Sequence, residues 1–162
     1  MAILKNTAER GKFKEEIHKA LYNSSDIKEL LLGDISGKKQ SEVMADFKNH
    51  VFSHLFIDDT ITETDSFIFY DVQFPELHST IKTCQVVLYA ICHRDILDNY
   101  FKDGYYGNRA DILSQMIEDV LVNNPKAARN YGIGELTLDS VLIYNSVRFY
   151  GCRLYLSVPD FR

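Results

Sequence analysis

The chain has 162 residues, of which 46% are hydrophobic and 25% are charged, a balance that is typical of one globular domain and excludes a disordered or low-complexity chain. Its formal charge of −5 at pH 7 creates no overall positive field, which disfavours sequence-independent binding to nucleic acid or to an anionic membrane. No stretch approaches the roughly 18 apolar residues that a membrane span needs, so we expect a protein that is made and kept in a cytosol-like compartment and binds no membrane.

Three helices are predicted in the N-terminal part of the chain. Apolar residues recur at helical spacing over residues 13–21, and a second short run begins after the serines at 24 and 25. Ser24 or Ser25 can accept hydrogen bonds from the first N–H groups of that second helix, and Gly33 can adopt the left-handed conformation that ends it. A third helix is expected over residues 41–55.

From residue 67 the hydrophobic period changes to two, which predicts β-strands. Residues 67–72 and 81–92 form the first antiparallel pair. The segment 86–92 is apolar on both faces, so we expect it to be a central strand that is covered on both sides. Two further strands are predicted over residues 136–144 and 149–158.

The clearest helix lies between the two pairs of strands, after a loop rich in glycine and aromatic residues at 100–107. Asn108 can cap its first turn, with Asp111 near the positive end of the helix dipole. We expect its apolar stripe to pack on the sheet through Leu88, Leu142 and Leu154. The stripe consists of Ile112, Leu113, Met116, Ile117, Val120 and Leu121.

This order of elements predicts an α+β fold: a mainly antiparallel sheet with a packed amphipathic helix, preceded by N-terminal helices. We expect a single domain over residues 1–162. Within it, residues 1–60 form a helical N-terminal extension and residues 61–162 form the α+β core.

Motifs with the spacing of a metal site are weak. His50 and His54 have the i, i+4 spacing that zinc proteases use on a helix, but Val51 stands where the catalytic glutamate is needed. The acidic segment 58–65 lacks the ligand spacing and the glycine of a calcium-binding EF-hand. Gly-Ile-Gly at residues 132–134 precedes a strand, whereas a phosphate-binding loop follows one, so a turn is predicted there. No metal and no cofactor is expected.

Cys92, His93 and Asp95 place a thiol, an imidazole and a carboxylate close together in the sequence. Adjacent residues on a strand point to opposite faces, so Cys92 and His93 are not expected to meet. The three cysteines are an odd number and lie in apolar runs, which disfavours a disulfide framework. We predict no catalytic residues, but a small cytosolic enzyme that uses these three residues remains an alternative.

Arg109 stands at the start of the best-defined helix, where its positive charge opposes the helix dipole. Something other than the stability of that helix can explain an arginine there. The residue either orients a contact with another subunit or is an ordinary surface arginine, and both interpretations stay open.

Several segments after residue 67 together resemble the neck (head–tail joining) proteins of tailed bacteriophages, and they are most similar to the tail terminator family. The similarity extends over residues 67–161 in the order of elements. It is carried by the strand 81–92 running into His93-Arg94-Asp95-Ile96-Leu97, by Gly107-Asn108-Arg109-Ala110-Asp111-Ile112-Leu113 opening a helix, by Gly132-Ile133-Gly134-Glu135-Leu136, and by Phe149-Tyr150-Gly151-Cys152-Arg153-Leu154.

The resemblance implies a virion structural protein without catalytic residues, assembled in the host cytoplasm and located in the neck or tail of the particle. It implies a ring of identical subunits, expected to be a hexamer, that terminates the tail tube. Portal or connector proteins would lie on the head side and the tail-tube protein on the tail side. The genome would pass through the lumen without sequence-specific binding. The long helical extension leaves open a head-closure or connector component, such as a stopper or adaptor ring.

Two regions are predicted to contact neighbouring subunits or partners. The loop 100–107 combines large aromatic side chains with glycines that let the backbone rearrange. The final strand, residues 152–158, is expected to lie at an edge of the sheet, where its free backbone groups can pair with another subunit. The acidic segment 58–65 is expected to face the partner or line the lumen with negative charge. The candidate interface residues are Phe101, Tyr105, Tyr106, Arg109, Arg153 and Tyr155.

Overall fold

The computed structural model describes residues 6–55, 61, 63–77, 83–123 and 135–158. Within these ranges it contains four α-helices, five strands and one 3₁₀ turn, and the predicted α+β fold is confirmed. The elements in chain order are α1 (Asn6–Tyr22), α2 (Ser25–Leu32), α3 (Gln40–Lys48), β1 (Val51–Phe52), β2 (Ser66–Gln73), β3 (Cys84–His93), the 3₁₀ turn (Arg94–Ile96), α4 (Arg109–Leu121), β4 (Thr137–Asn145) and β5 (Phe149–Val158).

The five strands form one sheet in the order β1-β2-β3-β5-β4, with β1 parallel to β2 and every other pair antiparallel. β3 is central and mostly buried, as predicted. The prediction that the last strand lies at an edge is wrong. Each residue of β5 pairs with a residue of β3, and β4 pairs with the other side of β5. The edges of the sheet are therefore β1 and β4.

Gly151 allows β5 to approach the centre of the sheet closely. A Cβ atom added at this position would lie 1.9 Å from the carbonyl oxygen of Ala90 and 2.7 Å from the Cα atom of Ile91. Both of these atoms belong to the backbone of β3, which cannot move aside as a flexible side chain can. Only glycine therefore fits this position of β5 without displacing β3.

The helices cover one face of the sheet and share a single core with it. Ile17 from α1 and Ile27 from α2 are fully buried in the same cluster as Leu88 of β3 and Leu154 of β5. Burial of this apolar surface is the main favourable contribution to folding.

The opposite face, which we call the outer face, carries a smaller cluster of buried aromatic and aliphatic side chains. Phe52, Leu55 and Ile61 pack against this cluster and cover it at the β1 end of the sheet. The buried members are Phe67, Phe69, Ile91 and Phe149.

Helix α4 begins as predicted. The side chain of Asn108 accepts a hydrogen bond from the backbone N–H of Asp111, and the Asp111 carboxylate accepts one from the backbone N–H of Asn108, which together form a capping box. The stripe of α4 packs in the same cluster as Leu88 and Leu154. The predicted contact with Leu142 is wrong, because Leu142 is exposed on the edge strand β4.

The predicted third helix is shorter than expected. It ends at Lys48, and Val51 and Phe52 form β1 beside β2. The carbonyl of His50 accepts a hydrogen bond from the N–H of Ile68, and the Nδ1 atom of His50 lies 3.0 Å from the carbonyl oxygen of Ser66. These contacts with β2 outweigh the local helical pattern. His50 and His54 consequently do not share a helical face.

Replacing Met116 with aspartate is expected to destabilise the protein strongly. The side chain is 1% exposed in the core between α4 and the sheet, and burying a carboxylate there costs about 4 kcal/mol or more of the free energy of unfolding. Urea denaturation measures the loss. Met44→Asp is the matched control, because Met44 on α3 is 45% exposed and the substitution there should cost far less. Equal losses in the two variants would contradict this packing.

Candidate interface surfaces

The edge strand β4 exposes apolar side chains on both of its faces. Val141 pairs with Leu154 and Ile143 pairs with Cys152, so both point to the helical face, while Leu142 points to the outer face. Val141 is 54% exposed and Ile143 is 66% exposed. Among the described residues no strand lies beyond β4. A long, apolar edge strand is a site of intermolecular association unless another chain covers it.

A groove of about 380 Å³ runs between β4 and α4 on the helical face of the sheet. Leu138 and Val141 form its β4 side, Gln115 and Glu118 form its α4 side, and Tyr106 lies at its end. We call this groove, together with the exposed residues of β4, the β4–α4 surface. The groove connects the apolar side chains of β4 to Tyr106 in the loop 100–107, so the edge strand and the aromatic loop form one continuous surface.

Two of the three aromatic candidates in the loop are highly exposed. Phe101 is 83% exposed and Tyr106 is 78% exposed. The backbone of Tyr106 is held by Gln115, whose side-chain amide donates to the Tyr106 carbonyl at 2.6 Å and accepts from its N–H at 3.1 Å. The ring of Tyr106 is therefore presented to solvent from a fixed backbone.

Tyr105 has an internal role. Its hydroxyl lies 3.1 Å from Oδ2 of Asp26 on α2 and 3.3 Å from Oδ2 of Asp119 on α4. Partial burial, together with the Asp26 carboxylate, raises the pKa of Tyr105 to about 12, so the hydroxyl is protonated at neutral pH and can donate. Lys102 binds the same region, 3.4 Å from Asp26 and 3.1 Å from Glu29. These contacts tie the loop to α2.

Arg109 is neither a free surface residue nor part of the exposed edge. Its guanidinium donates to the Ser66 hydroxyl at 2.8 Å and to the carbonyl of Leu30 at 2.6 Å, and it stacks on the ring of Tyr100 at 5.0 Å. Leu30 lies in the last turn of α2, where carbonyls lack helical partners and a positive charge is favourable. The charge that opposes the dipole of α4 therefore complements the dipole of α2.

The candidates Arg153 and Tyr155 lie on the outer face of β5, one strand inside the edge. Arg153 pairs with Leu142 in the ladder, and its Nε atom donates to the carbonyl of Ile143 at 3.2 Å. Both residues are half-buried. Arg153 thus supports β4 and does not itself offer backbone groups to a neighbour.

The thiol of the alternative enzyme site does not meet its two proposed partners, although Nδ1 of His93 lies 3.7 Å from the Asp95 carboxylate. Cys92 is buried on the helical face, and burial raises the pKa of its thiol to about 11. His93 lies on the outer face, where its ring contacts Phe149 edge-on, and its Nδ1 atom accepts from the N–H of Asp95. A buried thiol with a raised pKa is a poor nucleophile.

Two other motifs considered in the sequence, the acidic segment 58–65 and the Gly-Ile-Gly turn, lie partly or wholly outside the described residues. Asp58, Asp59 and the Gly132-Ile133-Gly134 motif lie outside the described residues. Over the ranges that are described, no group of three or more His, Cys, Asp or Glu side chains could hold a metal ion. The same ranges contain no helix with the length and apolar character needed to cross a membrane.

The sequence matches the YomW family over residues 14–158, and the chain therefore belongs to this family. The family carries the name of a phage-derived, SPbeta-type gene product, which indicates a phage-encoded protein. No curated protein and no solved structure matches the chain. The phage origin implied by the resemblance is thus supported, while the neck position and the tail terminator type stay predictions.

Replacing Arg109 with lysine is expected to lower the free energy of unfolding by about 2 kcal/mol, because an ammonium cannot reach Ser66 and Leu30 together and stack on Tyr100. Urea denaturation measures the effect. Arg153→Lys, which alters one exposed hydrogen bond, serves as the control and should change stability by less than about 0.5 kcal/mol. An Arg109→Lys protein with the stability of the wild type would show that these contacts contribute little.

Cys92 is expected to resist alkylation in the folded protein. With a pKa of about 11, only about one thiol in a thousand is ionised at pH 8, and burial also blocks the reagent. Iodoacetamide labelling followed by peptide mass spectrometry should find Cys92 unmodified in the native protein and modified in urea. Rapid native labelling at neutral pH would favour the enzyme alternative.

Proposed function

We propose that this protein is a structural component of a phage particle, which assembles through the β4–α4 surface into a ring at the head–tail junction. In this function it terminates the tail tube and joins it to the connector proteins of the head. The assembled position is the virion, and assembly takes place in the host cytoplasm. The protein acts through its contacts and catalyses no reaction.

The observation that carries the proposal is the exposure of Val141 and Ile143 on a sheet edge that continues into the groove beside Tyr106. Exposed apolar side chains on an edge strand favour association, since each aliphatic side chain that becomes fully buried contributes about 1.5–3 kcal/mol. Membership of a phage-derived family and the resemblance to neck proteins support the same function. The six subunits implied by the resemblance remain a prediction.

The runner-up is a head-closure or connector ring, in which a stopper or adaptor subunit contacts the portal. The helical N-terminal residues are compatible with it. The two functions differ in what their loss produces. Without a terminator, growth of the tail tube has no stop and tail lengths vary, whereas without a head-closure ring the tails keep their length and filled heads stay unjoined.

The substitution Ile143→Glu tests the ring. It places a charge on the exposed edge strand, so the subunit should stay folded while self-association weakens, because the carboxylate would have to be desolvated in the contact. Sedimentation velocity and negative-stain imaging, with and without the tail-tube protein, measure the association. Rings with a central hole are expected for the wild type and are expected to be lost in the variant.

Leu77→Glu is the matched control, since Leu77 is an exposed apolar residue after β2, away from β4. It should assemble like the wild type. Unchanged rings in Ile143→Glu would remove β4 from the contact. A wild-type protein that stays monomeric at high concentration, alone and with its tail tube, would contradict the proposed function. In phage complementation, the distribution of tail lengths then separates a terminator from a head-closure ring.

A further inference from the structure

A second cleft lies at the opposite edge of the sheet, where α1 and α3 meet β1. Its volume is about 740 Å³. Among the described residues, three lysines and two histidines contribute to its wall, and Glu15 is the acidic residue that lines it. We call it the basic cleft and define it by Lys14, His18, Lys19, Met44, Lys48 and Phe52.

The positive charge of the basic cleft that is not balanced within the subunit comes mainly from Lys48. The ammonium of Lys19 lies 3.5 Å from the Glu16 carboxylate, so this exposed pair balances part of its charge. The ammonium of Lys14 already lies 2.8 Å from the Asp71 carboxylate, so its charge is largely balanced within the subunit. Both Lys19 and Lys48 are exposed. Partial burial, assisted by the positive charge of Lys48, lowers the pKa of His18, so that imidazole is neutral at neutral pH.

The interior of the basic cleft is apolar. Met44 is exposed at its rim, and Tyr22 and Phe52 are half-buried in its wall. An apolar interior beside positive charges favours an occupant that has apolar or aromatic side chains next to carboxylates.

The β4–α4 surface has that composition. Asp111 and Glu118 line its groove together with Leu138, Val141 and the exposed Tyr106, and among the described residues no lysine or arginine lines it. Asp139 on β4 is also exposed and adds to the negative charge of this edge. The two edges of one subunit thus carry complementary charge around apolar centres.

The positions of the two surfaces decide the symmetry of the contact. β1 and β4 are the opposite edges of the sheet, so a contact between them on successive copies is heterologous and can close into a ring. A contact of β4 with β4 would bring the acidic groups of two copies together, and like charges at close range oppose binding. Such a contact would also produce a closed dimer and leave both basic clefts empty.

We propose that the basic cleft of one copy binds the β4–α4 surface of the next copy, with Lys19 and Lys48 facing the acidic groove. This inference rests on the proposed ring and identifies the second half of its subunit contact. β1 has only two residues, so the contact depends on side chains in the cleft more than on extension of the sheet. The occupant is a second copy of this chain.

Charge reversal tests the pairing. Lys48→Glu alone and Glu118→Lys alone should each weaken ring formation about tenfold at low salt, because each places like charges across the contact. The double variant Lys48→Glu with Glu118→Lys restores opposite charges and should recover most of the association. The concentration at which half of the protein sediments as rings is the measured quantity. Lys39→Glu is the control, since Lys39 is an exposed lysine before α3 that does not line the cleft.

Recovery in the double variant separates an interface from a folding defect. Residue 118 lies on α4 and does not line the cleft beside residue 48, so a change at 118 would not repair damage to α3. Single variants that assemble no worse than Lys39→Glu, or a double variant that fails to recover, would overturn the pairing. If one of these two results is found but Ile143→Glu still prevents assembly, the proposed ring stands and only the basic cleft is excluded as its second contact surface. A wild type that never associates would overturn both.

Discussion

The close approach of β5 to β3 at Gly151 determines how the rest of the sheet is arranged. Because glycine leaves room for the backbone of Ala90, β5 can pair along its whole length with the central strand. β4 must then pair with the remaining side of β5 and becomes an edge. The exposure of Val141 and Ile143, and with it the proposed association, follows from this strand order.

The helical layer depends in turn on contacts that join distant parts of the chain. Arg109 links the start of α4 to the end of α2 and to Ser66 at the start of β2. Tyr105 and Lys102 connect the loop before α4 to α2 as well. These polar contacts surround an apolar core to which α1, α2, α4 and the sheet all contribute, so the helical N-terminal residues and the sheet are packed together.

Hydrophobic periodicity was sufficient to predict the strands β2, β3 and β5 and the helix α4, because each has a strong pattern of period two or 3.6. The order of the strands could not be predicted in the same way. Alternation along β5 shows which of its faces is buried, but it carries no information about which strands lie on either side. The helical spacing of residues 49–55 predicted helix where the chain forms β1. Pairing of β1 with β2 is a tertiary contact, and a local pattern does not reveal it.

The candidate interface was predictable only in part. The exposure of Phe101 and Tyr106 agrees with an aromatic loop that carries glycines. The dipole conflict at Arg109 is explained by contacts within the chain, and a role of Arg109 in a subunit contact stays a prediction. The hydrogen-bond acceptors of Arg109 are Ser66 and Leu30, which are 43 and 79 residues away in the sequence. No local sequence pattern identifies partners that are so distant. Leu142 of β4 was expected to contact α4, whereas the exposure of Leu142, Val141 and Ile143 follows from the strand order, which the sequence pattern does not contain.

The two hydrogen bonds between Gln115 and the backbone of Tyr106 have a consequence for the entropy of docking. A loop that becomes ordered only on contact loses its backbone freedom at that moment, and this loss opposes binding. In this protein the backbone beside the exposed Tyr106 ring is already ordered in the free subunit. The loss of backbone entropy therefore occurs during folding and does not oppose binding. Association then has to immobilise little more than side chains, so the pre-formed loop favours a contact that forms without a conformational search.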